Sequence, residues 1–327
     1  MSPTVYEGKV FAGSSSMEEL AASVIPGYQC CSFVGNLVAM KFNRLGGHFD
    51  VQWNISTLPE PRGPGGWSGG AIWESQPSID PERGQLFIAT GNVYAAPPAV
   101  QRKPKLGAST NALDAWTLAC GIPGVIPQNQ ALCPGKPGPD ADFGMAPAFV
   151  PRSAAKTASG QDVVVVGQKN GNLYSLAADS GKLLWSVVTG PGSAGGGLSW
   201  GIALTIAKYT SLLSTKLADG SLLWETQTPH DSLALSPPSV VNDIVVVGRN
   251  APVGQFGAPT GVYGGPVVLA KTTGNVIAEF DLDNDLYGGV AIQNQYILFG
   301  TGYNGHNGTG SFYVMSVRKK KLENTNT

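Results

Sequence analysis

The stretch from Asp162 to Trp185, DVVVVGQKNGNLYSLAADSGKLLW, restricts the fold of this chain more than any other. Val163 to Val166 is a β-branched run, and Lys169-Asn170-Gly171 is a tight turn of residues that tolerate positive φ, so the flanking runs meet as a hairpin. Leu173, Ser175 and Ala177 alternate with Asn172, Tyr174 and Leu176, the two-residue period of a strand. Ala178-Asp179-Ser180-Gly181 then turns the chain into Lys182-Leu183-Leu184-Trp185. The pattern predicts a β-meander and not a helix.

Copies of the unit recur. Leu217 to Trp224 repeats the turn and the closing strand, with Trp224 lying 39 residues after Trp185. Lys271 to Phe280 repeats it with Phe280 expected at the tryptophan position, and Gly35 to Met40 followed by Trp53 repeats it near the start. A strand-rich repeat of roughly 40–45 residues with a recurring turn glycine and tryptophan is the mark of propeller blades. One blade cannot bury both faces of its sheet, so neighbours must stack around an axis. The expected fold is all-β, a β-propeller with Trp53, Trp185 and Trp224 at equivalent core positions.

Composition agrees with this. The 327 residues include 44 Gly and only 13% charged residues, which is poor in the Glu, Lys and Arg that long exposed helices use. Formal net charge is −1, and the basic residues are dispersed apart from Arg318 to Lys321, so no basic face for nucleic acid is evident. No apolar stretch approaches membrane-spanning length, and no basic segment followed by an apolar run marks a signal peptide. Asn54-Ile55-Ser56 and Asn307-Gly308-Thr309 are glycosylation acceptors if the chain enters a secretory pathway.

Four cysteines do not make a disulfide-rich scaffold, and no Cys-x-x-Cys-His haem site occurs. Cys30 and Cys31 are adjacent: they are either two free thiols or a rigid, unusual turn. Ahead of them, Pro3 to Ser16 reads as two strands, with Ser14 to Glu19 closing the second. From Ala95 to Pro139 the meander pattern fails, with eight prolines and both Cys120 and Cys133, whose joining would restrain what reads as a long loop. Gly190 to Gly201 is glycine-rich but lacks the Gly-Lys-Ser/Thr ending of a phosphate cradle. A shortened unit from Ile202 to Glu225, the stretches Pro238 to Gly248 and Pro266 to Phe280, and a last unit from Gly288 to Met315 follow. About six blades are recognisable, several incomplete, in one propeller domain spanning residues 1–317 with the long loop 95–139 and a polar tail at 318–327.

The blade Asp162 to Trp185, the segment Tyr28 to Gly35, the segment Trp73 to Asn92 and Asp140-Ala141-Asp142-Phe143-Gly144-Met145-Ala146-Pro147 together resemble the polyvinyl-alcohol-dehydrogenase branch of the pyrroloquinoline-quinone (PQQ) alcohol dehydrogenases. The resemblance covers nearly the whole chain and implies an eight-bladed propeller with PQQ at the axis and a calcium ion, here shortened at the N-terminus. It assigns calcium ligation to Glu18 within Ser15-Ser16-Met17-Glu18, with Glu19 the neighbouring register, and to Asn92 of Thr90-Gly91-Asn92. Both donate hard oxygen, as calcium prefers. It places Trp73 beneath the quinone, Lys169 beside the quinone carbonyls, and Ser15, Ser16, Cys30 and Cys31 around the cofactor.

The implied activity is oxidation of a small-molecule or polymeric alcohol, with a carboxylate base taking the hydroxyl proton and an electron acceptor reoxidising the cofactor. Many relatives carry Asp-x-Trp-Asp with the second Asp as base; this chain reads Asp114-Ala115-Trp116-Thr117, so the base falls to Asp114. The family points to an extracellular or secretory compartment. Two other readings stand beside the oxidoreductase: a propeller of the same ancestry that binds partners or ligands without turnover, and a sugar-binding or hydrolytic propeller, which lacks paired carboxylates at a readable spacing.

Overall fold

The computed structural model describes residues 2–73, 76–101, 120, 128–129, 133, 141–155, 160–192, 197–198, 205–208, 211–252, 264–282, 284–302 and 310–316. Asp114, Thr117, Trp200, the Asn307 acceptor, the tail 318–327 and most of the 95–139 loop lie outside the described residues.

Four strands open the chain: β1 (Thr4–Tyr6), β2 (Lys9–Gly13), β3 (Asn36–Asn43) and β4 (His48–Ser56) form one antiparallel sheet in sequence order. Next come β5 (Ser68–Gly69), β6 (Ser78–Asp80), β7 (Gln85–Phe87) and β8 (Val93–Ala95), in which β6 pairs β7 inside the β5–β8 pair. The organising unit supplies β9 (Ala148–Val150), β10 (Val163–Gly167), β11 (Asn172–Ala177) and β12 (Leu183–Val188). A three-stranded sheet follows with β13 (Thr205–Lys208), β14 (Ser211–Thr215) and β15 (Leu222–Gln227). Then β16 (Ser232–Leu233), β17 (Ser239–Val241), β18 (Ile244–Pro252), β19 (Gly265–Ala270) and β20 (Val276–Glu279) join in a single sheet, which unites the Pro238 and Pro266 stretches in one blade. Last are β21 (Ala291–Gln293), β22 (Tyr296–Gly300) and β23 (Phe312–Ser316).

These six meanders stack face on face. Val163, Val165 and Leu173 of the third unit pack with Leu213 of the fourth. Leu212 and Trp224 pack with Val245, Val247 and Val267 of the fifth, and Val246 packs with Phe299 of the sixth. Phe87 stacks on Phe149 at 5.8 Å between the second and third units, and a Cβ on Gly13 would strike Ile72 between the first and second. Because strand side chains alternate, each sheet has two apolar faces to bury, and each neighbour covers one. The architecture is the all-β propeller that the repeats predict.

The tryptophans hold equivalent positions. Trp53 faces Ala39, Trp185 faces Ser175 and Trp224 faces Ser214, and in every case the pairing register slips by one residue immediately afterwards. In the fifth unit the same slip follows Val268 paired with Ala278, so Ala278 occupies the tryptophan position and Phe280, two residues on, does not. The turn glycine fixes that count: Gly181, Gly220 and Gly274 each donate N–H to the carbonyl four residues back, which sets where the closing strand starts.

One departure bears on the site. Glu18 to Val24 form a short helix, α1, so Glu18 lies on its first turn and not at a strand end. Among the described residues no helix is long and apolar enough to cross a membrane.

Candidate functional site

Lys169 sits on the β10–β11 turn, where a solvated hairpin tip is the ordinary expectation. The structure turns it inward: the residue is 8% exposed. Gly171 makes this turn feasible, with φ +83° and a hydrogen position that a Cβ would replace only by colliding with the Gly190 carbonyl. The Lys169 N–H donates to the Asp142 carbonyl at 2.9 Å, and its ammonium lies 3.1 Å from Asp142 Oδ2. The same ammonium stands over the Trp73 ring, 4.8 Å from its centroid. Asp142 is 3% exposed, so this is a buried ion pair against an aromatic face.

Three separate connections meet here. Trp73 follows β5, Thr90-Gly91-Asn92 leads into β8, and Asp142 leads into β9. Gly91 donates N–H to Ala71, and the Asn92 carbonyl accepts from Gly70 at 2.7 Å, which ties the second connection to the first. Phe143 N–H donates to Thr90 and ties the third to the second. A Cβ on Gly91 would stand 2.8 Å from Trp73 Nε1 and 3.4 Å from Asp142 Oδ1, so bare backbone at this point lets the indole edge approach the carboxylate. Asn92 is buried beside them.

A second group is built on α1. Glu18 is buried, and its Oε1 accepts from Ser32 N at 2.7 Å, Ser32 Oγ at 3.1 Å and Tyr28 Oη at 3.2 Å, while Oε2 accepts from Phe33 N at 2.8 Å. An ionised carboxylate has about four such sites. Glu18 therefore anchors the chain that follows Cys30 and Cys31, which are joined to each other across a cis peptide bond. The adjacent cysteines are thus the rigid turn and not free thiols; Cys120 and Cys133 are likewise joined.

Tyr94 lies between the two groups. It packs with Cys31, Cys30 and Phe33, and burial, reinforced by the negative charge of Glu19, Asp142 and Glu18, raises its phenol above the ordinary value against the opposing hydrogen bond to Ser16. Ser16 Oγ also accepts from the Glu18 N–H at 3.2 Å. Ser15, by contrast, is exposed.

Sequence reasoning missed Asp142, Tyr94 and Asn250. Asp142 stood within a segment that carried the family resemblance, and an acid there preceding a strand was its only signal. Asn250 lies within β18, beyond its Val-rich run; it is fully buried, its Oδ1 accepts from Leu235 N at 3.2 Å, and among the described residues its Nδ2 has no partner.

Comparison with known proteins follows the same lines. The family whose model matches, over residues 136–280, is described as outer membrane protein assembly factor BamB. Polyvinylalcohol dehydrogenase of Pseudomonas sp is 33% identical over 224 residues, 62% of this chain and 32% of that protein. The Sphingopyxis sp. (strain 113P3) polyvinylalcohol dehydrogenase is 32% identical over 226 residues, 61% of this chain and 32% of that protein. Over that stretch this chain is similar to the polyvinylalcohol dehydrogenases. It spans about a third of the length of these curated relatives.

Among solved structures, the quinohemoprotein alcohol dehydrogenase of Comamonas testosteroni superposes with a TM-score of 0.56 at 14% identity, over 95% of this chain and 59% of that one. The quinohemoprotein alcohol dehydrogenase ADHIIG of Pseudomonas putida HK5 superposes with a TM-score of 0.53 at 15% identity, over 93% of this chain and 55% of that one. At those identities the likeness shows the fold, and the fold is the propeller described above.

The residues present fit a planar, electron-poor, anionic group such as PQQ. They offer an aromatic face on Trp73 and a buried ammonium on Lys169. Among the described residues no group of three or more His, Cys, Asp or Glu side chains is placed to hold a metal ion, and the Glu18 oxygens already answer four protein donors.

Proposed function

We propose that the chain belongs to a quinoprotein-type oxidoreductase acting on an alcohol, small or polymeric, and that the site is the convergence of Trp73, Asp142 and Lys169. The observation that carries this reading is the buried Asp142–Lys169 pair held against the Trp73 face by three different connections. Such a pair is costly to bury and is retained where it has a task. When bound, PQQ supplies the hydride acceptor. Trp73 supports the planar group, with Gly91 keeping the indole edge flush against the backbone. Lys169 presents positive charge to oxygen atoms at its rim.

Asp142 is the carboxylate positioned to take the alcohol's hydroxyl proton at Oδ1, while Oδ2 holds the Lys169 ammonium. Asp114, which the sequence pattern nominates, lies outside the described residues, whereas Asp142 stands beside the aromatic platform. Tyr94, packed with the vicinal cystine, lies within electrostatic reach of Asp142. Glu18 and Asn92 are the ligands that the family resemblance proposes for calcium, and an electron acceptor is implied by the chemistry.

The test is reconstitution with PQQ and calcium, followed by a dye-linked alcohol oxidation assay. Asp142→Asn is expected to lower turnover by ~10²–10⁴-fold, the usual cost of losing a general base, with PQQ still bound. An unchanged rate in Asp142→Asn alongside a collapsed rate in Asp114→Asn would return the role to Asp114. Quinone binding without turnover by the wild-type chain would favour the reading of a ligand-binding propeller of the same ancestry.

A further inference from the structure

Lys169 does more than stand near Trp73. Its ammonium is over the ring, 4.8 Å from the centroid. Stacked aromatic rings keep their centroids about 4.5–7 Å apart, so the ammonium already fills the shell that a stacked ligand on this face would use. The lysine backbone cannot move aside to clear it. Its N–H is bonded to the Asp142 carbonyl, and a Cβ on Gly197 would collide with the Lys169 carbonyl, so the neighbouring chain is packed directly on it. The side chain, with its four-carbon stem, is the part that can swing.

We infer that Lys169 acts as an internal ligand of Trp73 and thereby selects by charge: a planar ring reaches this face of the indole only if it carries negative or strongly accepting oxygen atoms that take over the ammonium. A neutral ring of the same shape displaces the cation–π contact and offers the ammonium nothing in return, in a site where Lys169 is 8% exposed and water is a poor substitute. An anionic ring gives the ammonium a new partner while Asp142 Oδ2 keeps it tethered. This deepens the proposed reading and rests on it only in naming PQQ as the anionic ring; the exclusion of neutral rings follows from the Lys169–Trp73 geometry alone.

The experiment compares two probes, PQQ and the neutral planar phenanthrenequinone, by equilibrium dialysis and by quenching of intrinsic tryptophan fluorescence. The proteins are wild type, Lys169→Ala, Lys169→Met and Trp73→Ala. The double variant Lys169→Met with Asp142→Asn is added so that no buried carboxylate is left unpaired should the single variants fold poorly. Clearing the ammonium is expected to tighten phenanthrenequinone binding by about 2- to 30-fold, the size of one cation–π contact, and to weaken PQQ binding; Trp73→Ala should abolish the gain. Unchanged phenanthrenequinone affinity in the Lys169 variants, absence of binding to all of them, or a gain that survives loss of Trp73 would overturn the inference. Failure of wild type to bind PQQ while the variants still gain affinity for the neutral ring would overturn the quinoprotein reading and leave the charge selection standing.

Discussion

Gly220 lies flat beneath the indole of Trp185, so close that a Cβ at position 220 would stand 2.8 Å from ring atom Cε3. The two residues belong to consecutive blades, and the contact is locked by the Trp185 Nε1–H, which donates to the Leu217 carbonyl at 3.0 Å. The next pair repeats it: a Cβ on Gly274 would stand 2.5 Å from the Trp224 ring, and Trp224 Nε1–H donates to Lys271 at 2.9 Å. At these two boundaries the recurring Gly and Trp of the sequence are therefore partners, Gly220 and Gly274 each receiving the tryptophan of the blade before it.

That relationship separates two reasons for a turn glycine. Gly181 has φ +69° and open space around its would-be Cβ, whereas Gly220 has φ +76° and an indole in the way. Gly181→Ala is expected to cost ~1–2 kcal/mol, the left-handed backbone penalty alone. Gly220→Ala adds overpacking against Trp185 and is expected to cost ~2–4 kcal/mol. Urea unfolding of the two variants checks this; equal losses would show that the blade contact carries no energy.

The Gly-to-Trp spacing was legible because it is local: four residues separate Gly181 from Trp185 and Gly220 from Trp224. Ala278 shows where the rule goes wrong. An aromatic residue at 280 attracted the assignment, but register is counted from the turn, and a small residue holds the position. The helix α1 was missed because Ser14-Ser15-Ser16 read as a strand ending, although two acids opening an Ala-containing run, Glu18 and Glu19, are a helix-start signal. Asp142 could not be found from spacing at all, since its partner Lys169 lies one hairpin and two strands away in sequence and reaches it only through the fold.

Arg83 joins the second and third blades, with Nη1 on Asp80 and Nη2 on Asp162, and Asp162 also accepts from the Arg152 N–H. Burial pushes the Asp80 carboxyl up, but the Arg83 side chain and the Arg83 and Glu82 N–H groups outweigh it and hold the value below that of a free Asp. The Arg152 N–H first, and then Arg83, hold Asp162 down. Both folded-state values being depressed, their stabilisation is fully present above the unfolded Asp range near ~4 and is lost as pH falls through the lower folded values. Arg83→Met should cost ~3 kcal/mol at neutral pH, since it leaves two buried carboxylates without their cation. Its deficit relative to wild type should shrink as pH falls below ~4 and those carboxylates protonate. Thermal melts across pH 2.5–7, about this range, give the comparison; a deficit independent of pH would mean that Arg83 contributes by packing and not by charge.

Glu18 presents the sharpest choice between two tasks for one carboxylate. The family resemblance makes it a calcium ligand; the geometry makes it the acceptor for Tyr28 before the cysteine pair and for Ser32 and Phe33 after it. A hydrogen bond to a charged group contributes about 1.5–3 kcal/mol, and removing the acceptor leaves its donors unsatisfied. If the loop is its task, Glu18→Ala should lose ~3 kcal/mol in urea denaturation with a chelator present, and excess calcium should not enlarge the loss. Glu18→Gln, which keeps one carbonyl oxygen, should lose less. An ion ligand behaves otherwise, because calcium binding the folded chain stabilises it in proportion to how far the ion concentration exceeds its dissociation constant. Wild type would then gain stability on adding calcium and the variants would not, while all three would unfold together in chelator. That second pattern would remove the loop anchor from the account and restore Glu18 to a metal site.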